Sequence, residues 1–496
     1  MMHFISDILW RALRRSFDAL SRDRRGGIAV FLATAIVPLI GILGLAVDTT
    51  RGYMVKSRLS QALDAAALAG GRVIFSTTRD ADIQMYFNAN YPAGYMGAAV
   101  TGPTIAVNGT NDKLTLQASA VVDTTFLRVL GIQNMTVKSD VEVTRQTQLL
   151  DVVLSIDVSG SMSTSAGGGL TRIQAARTAA NSLVSILFGT TATSSVVNIG
   201  LVPWNSKVNV TRNGVTFNSA LTVTDSSVGT FKNPLTGALQ TSVFYANNSP
   251  VPLLSKPLAG WKGCVYDRYK NDGDPTNDGD IYEATLLNAT GDWVAWEPIG
   301  PEGEPTSSSN SHCQAAEDAH KPKATDCSAC FSHGITALQN TKASITNAIN
   351  QLTTPDGNTN APAGLAWAWR ALTPAAPWTE ADPNPQFPRQ QAIVLLTDGQ
   401  NVGGYGDGYK AVFGIDDDAQ ASMDARTRLL AQNIKASGVT IYVIQFANNN
   451  STMQALLKDV ASGRDAPFYN YAPTGAALQQ IFKEIANNLS ELRLSK

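Results

Sequence analysis

The stretch Asp151–Ser163, DVVLSIDVSGSMS, decides the fold. Its apolar run, Val152 to Ile156, stops at Asp157; Ser159, Ser161 and Ser163 follow, with Gly160 between the first two. From Leu149 onward, apolar strands alternate with helices. LLDVVLSI, SVVNIGLV, AIVLLT and VTIYVIQFA read as strands. RIQAARTAANSLVSILF, ITALQNTKASITNAINQL, AGLAWAWRAL, DAQASMDARTRLLAQNIKASG, STMQALLKDVA and GAALQQIFKEIANNL read as helices. This alternation predicts an α/β fold: a doubly wound, mostly parallel sheet with helices on both faces. Ligands of such sheets bind at the carboxyl ends of the strands.

Asp157 stands at the end of the first of these strands, and Asp398, in AIVLLTDGQN, at the end of a later one. Carboxylates and hydroxyls are hard oxygen donors, suited to magnesium, calcium or manganese rather than zinc. Ser159 and Ser161 are two residues apart, so an extended or looping backbone aims both hydroxyls one way. Gly160 lets the loop turn tightly. The competing reading is local: Asp157 caps a helix and the serines line a turn.

The chain of 496 residues is long enough for two or three domains. Charged residues make up 16%, below the usual quarter, and the net charge is −2. Nothing here offers a nucleic-acid footprint. Arg11, Arg14, Arg15, Arg22, Arg24 and Arg25 lie in a basic leader, residues 1–27. The uncharged run IAVFLATAIVPLIGILGLAV, residues 28–47, follows; as a helix it spans about 30 Å, a bilayer core. The arginines before it and Asp48 after it predict a retained single-pass anchor in the inner membrane. The N-terminus is then cytoplasmic and the bulk of the chain periplasmic or extracellular. A cleaved signal peptide is the alternative, disfavoured by the length of the run.

Residues 48–148 read as a small α+β stem. GYMVKSRLSQALDAAALAGG is helical, Leu114, Leu116, Ala118 and Ala120 alternate onto one strand face, and Val137, Val141 and Val143 onto another. A long insertion, residues 204–334, interrupts the α/β part and holds all four cysteines, Cys264, Cys313, Cys327 and Cys330. Outside the cytoplasm they predict disulfides of open connectivity, with a zinc site that includes His312 and His333 as the alternative. NDGDPTNDGDIYE, with Asp272, Asp274, Asp278, Asp280 and Glu283, reads as a solvated acidic loop. No GxSxG or HExxH motif occurs, and His3, His312, His320 and His333 lie far in sequence from Asp157, so no enzyme is expected.

DVSGS resembles the DxSxS motif of von Willebrand factor type A (VWA) domains, from about Leu149 to the C-terminus (residues 149–496). TPDGNTNAPAGLAWAWR supplies Thr359 before a helix, and LLTDG supplies Asp398, in the family's order. The family's pattern departs at Asn358, where a small residue is usual. RRGGIAVFLATAIVPLIGILGLAVD, LSQALDAAALAGG, GLAWAWRAL and GWKGCVYDR are similar to TadG-like proteins of the tight-adherence (Flp) pilus system. The resemblance implies a metal-ion-dependent adhesion site. Ser159, Ser161 and Thr359 would coordinate Mg²⁺, or alternatively Ca²⁺ or Mn²⁺, with Asp157 and Asp398 contacting it directly or through water. An open position would accept an acidic side chain from an envelope or pilus-assembly protein. Two other functions stay open: a minor pilin-like subunit of the pilus, which cleavage after Gly27 would favour although type IV pilins carry an acidic residue where this chain has Leu32, and a metal-dependent hydrolase.

Overall fold

The computed structural model describes residues 26–494, apart from 75–77, 109–112, 145–147, 213–222, 259–260, 269–277, 283, 285–293, 301–304, 308–309, 314–327, 386, 405–406, 410–411 and 416. Residues 1–25 of the basic leader, Asp272, Asp274, Glu283, His320 and Cys327 therefore lie outside the described residues. The chain forms two compact units, Met1–Gln146 and Thr147–Lys496.

In the first unit one helix, α1 (Gly26–Arg72), continues outward from the apolar run with Pro38 inside it. From Thr34 it is long and apolar enough to cross a membrane. Its outer half buries Val55, Leu59, Ala62, Leu63 and Ala66, a helical spacing that makes one apolar face. That face packs on a three-stranded antiparallel sheet in the order β1 (Ala99–Val107), β2 (Lys113–Asp123), β3 (Asn134–Thr144). On β2, Leu114, Leu116, Ala118, Ala120 and Val122 are buried by strict alternation. Helix α2 (Arg79–Asn90) adds Ile83 and Phe87 to this core. Gly70 permits the contact: a Cβ there would lie 2.5 Å from the Ile83 side chain.

The second unit is built on a six-stranded sheet. Its strands are β4 (Leu149–Asp157), β5 (Val197–Trp204), β8 (Thr336–Gln339), β9 (Arg389–Thr397), β10 (Thr440–Phe446) and β11 (Tyr469–Ala472), in the order β8-β5-β4-β9-β10-β11. All neighbours are parallel except β8 against β5. Helices α3 (Arg172–Phe188), α4 (Lys342–Asn350) and α8 (Gly475–Leu494) cover one face. Helices α5 (Ala361–Leu372), α6 (Gln420–Ala436) and α7 (Ser451–Val460) cover the other. Alternate residues of β4 serve the two layers: Leu150, Val152, Leu154 and Ile156 on the α3 side, Val153 on the α5 side. This is the doubly wound sheet expected from the sequence, with two departures. ITALQ is not helical; Thr336–Gln339 pairs along the edge of β5, because tertiary pairing overrides its helical propensity. Short β11, hidden in FYNYA, closes the other edge beside β10.

Helix α5 presses closely on β4 and β5. The Trp204 indole N–H donates to Ser155 Oγ at 2.9 Å, and Ser155 Oγ–H donates to the Gly364 carbonyl at 3.1 Å. A Cβ at Gly364 would lie 2.4 Å from the buried indole. Gly364→Ala is therefore expected to cost about 1–3 kcal/mol through overpacking, read as a shift in urea midpoint at constant slope. No shift would mean that helix and indole separate freely.

Between β5 and β8 the chain forms a hairpin, β6 (Val223–Lys232) with β7 (Leu239–Ala246), and a short pairing of Val208–Asn209 with Cys264–Val265. Cys264 and Cys330 form a disulfide across 66 residues. Cys330 is thereby lost to the alternative zinc site. The His333 imidazole is buried, which depresses its pKa to about 4, and its Nε2 has no hydrogen-bond partner among the described residues.

The acidic stretch requires a correction. Asp278 and Asp280 are not solvated; they are buried and paired with arginines. Asp280 Oδ1 accepts from Arg268 Nε at 2.7 Å and from Arg370 Nη2 at 2.5 Å, and Asp278 Oδ2 accepts from Arg426 Nε at 3.1 Å. Arg370 lies on α5 and Arg426 on α6, so the pairs tie this part of the insertion to the helical layer. Burial, then the charge of Asp280, pushes the Asp278 carboxyl up to about 7 against the pull of Arg426. Asp267 and Tyr409 belong to the same buried group. A carboxyl raised in the fold binds protons more tightly there than in the unfolded chain. Its stabilising contribution is thus full at low pH and is lost as pH rises from about 4 to about 7. Asp278→Asn should reduce that downward slope by up to about 1.4 kcal/mol per pH unit. Urea titrations at about pH 5 and about pH 7 check this; an unchanged slope contradicts it.

Candidate metal centre

The topology brings the two acidic strand ends together. β4 and β9 are parallel neighbours, with Ile156 opposite Leu396, and the chain leaves them towards opposite edges of the sheet. Asp157 and Asp398 therefore sit at the switch point, where such sheets open a crevice.

Each loop there is fixed by backbone bonds. The Val158 N–H donates to the Trp204 carbonyl (2.8 Å), Gly160 N–H to Gly357 O (2.8 Å), and Asp356 N–H to Val158 O (2.9 Å). The carboxylate of Asp157 is fully buried. Its Oδ1 accepts from the Ser159 N–H at 2.8 Å, and its Oδ2 from the Thr397 hydroxyl at 2.7 Å. The hydroxyls of Ser159 and Ser161 are 3.0 Å apart, and Ser161 Oγ–H donates to Asp398 Oδ1 at 2.5 Å. Arg172 Nη1, at the first turn of α3, donates to Asp398 Oδ2 at 2.8 Å.

Thr359 is buried just before α5, and its carbonyl accepts from Val402 N–H at 3.0 Å. Asn360 caps the helix by accepting from Ala363 N–H. The Thr359 hydroxyl faces the Asp398–Gly399 turn; a Cβ built on Gly399 would lie 2.7 Å from it. One hydrogen-bonded chain thus joins Asp157, Ser159, Ser161 and Asp398. Thr359 lies against the adjoining turn, and no hydrogen bond among the described residues joins its side chain to the other four. At the departure from the family's pattern, the Asn358 N–H donates to Ser328 Oγ at 2.8 Å, which seats this loop on the insertion.

Burial, then the neighbouring charge of Asp398, pushes the Asp157 carboxyl up to about 7. Burial also raises Asp398, against the opposing pull of Arg172 and Ser161. Two carboxylates in one dry site disfavour each other's ionisation unless a cation offsets them. Arg172 supplies one positive charge for two acids.

Sequence reasoning missed three supporting residues. Thr397 stands beside Asp398 in TDG, a signal within reach. Arg172 pairs across 226 residues, and no local pattern announces it. Buried Asn205 donates to Asp356 O (2.8 Å) and Ala329 O (3.0 Å), and its carbonyl accepts from Asn360 N–H, so it binds the Thr359 loop to the insertion.

Residues 26–73 match the family described as putative Flp pilus-assembly TadE/G-like, and residues 334–484 match the von Willebrand factor type A domain. The second match begins after the insertion; the sheet order places β4, with Asp157, inside the same domain. No curated protein matches the chain. Among solved structures, the pilus adhesin SpaC from Lactobacillus rhamnosus GG is similar at 12% identity, over 81% of this chain and 35% of its own, with a TM-score of 0.33. The vWF domain of the type V pili tip protein Mfa5 from Porphyromonas gingivalis is similar at 12% identity, over 71% and 97%, with a TM-score of 0.34. Proximal thread matrix protein 1 from the mussel byssus, in a form with a zinc-occupied MIDAS motif, is similar at 12% identity, over 70% and 48%, with a TM-score of 0.31. The chain thus spans about a third of SpaC and about half of the byssus protein. The two family matches show a chain that joins a TadE/G-like Flp pilus-assembly segment to a von Willebrand factor type A domain.

Proposed function

We propose that this chain is a membrane-anchored VWA protein that assembles or holds tight-adherence (Flp) pili through Mg²⁺-dependent protein–protein binding. The carrying observation is the cluster at the switch point: two buried carboxylates, three hydroxyls and one arginine, with Asp157 pushed up to about 7. The donors are hard oxygens, which fit Mg²⁺, Ca²⁺ or Mn²⁺. Ser159, Ser161 and Thr359 would hold the ion, with Asp157 and Asp398 contacting it directly or through water. The bound ion supplies a Lewis-acidic position that accepts an acidic side chain from a partner. Thr397 and the Ser159 amide hold Asp157 in place, and Arg172 holds Asp398. The role we propose for this site is binding rather than turnover. The TadE/G-like match and the apolar part of α1 support single-pass anchoring. We place that anchor in the inner membrane, with the VWA domain outside the cytoplasm.

The immobilised chain is expected to retain pilus-assembly or envelope proteins of its own cell in Mg²⁺ and to release them in EDTA. Asp398→Ala should retain none. Retention indifferent to both chelation and substitution would refute the reading.

A further inference from the structure

We infer that the turn joining β2 to β3 is a second membrane-contacting element, an apolar wedge seated in the phospholipid interface beside α1. The inference rests on reading the first part of α1 as a membrane span. Three observations carry it. First, the turn exposes apolar side chains: Phe126 is 40% exposed, Val129 72% and Ile132 47%. Second, its height along the helix is fixed. The buried carboxylate of Asp48 accepts the backbone N–H groups of Thr125 (3.0 Å), Phe126 (2.9 Å) and Leu127 (2.8 Å). Arg51 Nη1 donates to Thr125 Oγ1 at 2.9 Å from the next turn of α1. Third, Phe126 is packed on Gly44: a Cβ on that glycine would lie 2.3 Å from the Phe126 Cβ.

Gly44 lies three residues, about 4.5 Å of helix rise, inside the end of the uncharged run at Val47. The same stretch of α1 exposes Ile42, Leu43, Leu45 and Val47. The apolar surface of the turn is therefore continuous with the apolar surface of the span, at the depth where a peripheral wedge enters the acyl boundary. Asp48 makes that depth possible: it satisfies three amides of the turn that lipid could not. Arg128, exposed in the same turn, adds a positive charge at headgroup level. The occupant is lipid, because a soluble partner on this surface would have to share the bilayer with α1.

The test uses the full-length chain in vesicles of phosphatidylethanolamine and phosphatidylglycerol. A benzophenone amino acid is placed in turn at position 129, at position 39 on the span, and at position 239, an exposed leucine of the second unit. After irradiation, lipid adducts are counted by mass spectrometry. Positions 129 and 39 are expected to yield adducts at least about tenfold above position 239. Adducts at 39 alone would overturn the inference and leave the span intact. Absence at both would remove the span, and the inference with it. A protein cross-link at 129 in place of lipid would assign the turn to a protein neighbour and overturn the inference.

Discussion

Asp280→Ala is expected to cost the second unit about 3–5 kcal/mol, a large part of a domain's usual stability of about 5–15 kcal/mol. One carboxylate serves two guanidinium groups: Oδ1 accepts from both Arg268 and Arg370, and Oδ2 accepts from the Arg268 amide at 2.8 Å. Both arginines are buried. They stack on aromatic rings, Arg268 4.1 Å from Trp296 and Arg370 4.7 Å from Trp367. The rings favour the cations but cannot replace a carboxylate. Burial alone would raise the Asp280 carboxyl, yet Arg370 and Arg268 outweigh it and hold it below the ordinary range. Removing Asp280 would leave two charges in a dry aromatic pocket. Urea unfolding of wild type and variant measures the loss. A cost below about 1 kcal/mol would mean that water reaches the guanidinium groups.

The second large effect is on metal binding. Asp157→Ala should weaken Mg²⁺ binding by at least about 100-fold, because it removes a carboxylate rather than a supporting residue. The metal-free fold should survive. The lost bonds, to the Ser159 amide and the Thr397 hydroxyl, are local, and the buried repulsion with Asp398 disappears. Without metal, the variant is expected to melt at or above the wild-type temperature. In Mg²⁺ the wild type should gain the ligand-linked stabilisation that the variant lacks. A variant that unfolds without metal would instead make Asp157 a structural residue.

The sheet was legible because its strands are buried on both faces and read as apolar runs, interrupted by Ser155 in Val152–Ile156 and unbroken in Ile393–Leu396. In the candidate site, Asp157, Ser159, Ser161 and Asp398 were legible because they follow two such runs, whose ends the doubly wound order juxtaposes; Thr359 follows neither run and was picked out by the family resemblance alone. The helix–strand error at ITALQ came from a short run whose state depends on its neighbour β5. The acidic stretch misled for a different reason. Asp280 meets Arg370 across 90 residues and Asp278 meets Arg426 across 148, so their burial is a property of the tertiary fold. The Cys264–Cys330 pairing and the Arg172–Asp398 pair are long-range in the same way.

The most direct test of the central claim is calorimetric titration of Mg²⁺ into the metal-free full-length chain, wild type beside Asp157→Ala. One binding site is expected in the wild type and none measurable in the variant at the same concentrations. Equal heats and equal affinity in both proteins would contradict it, since the ion would then bind away from Asp157, Ser159, Ser161, Thr359 and Asp398.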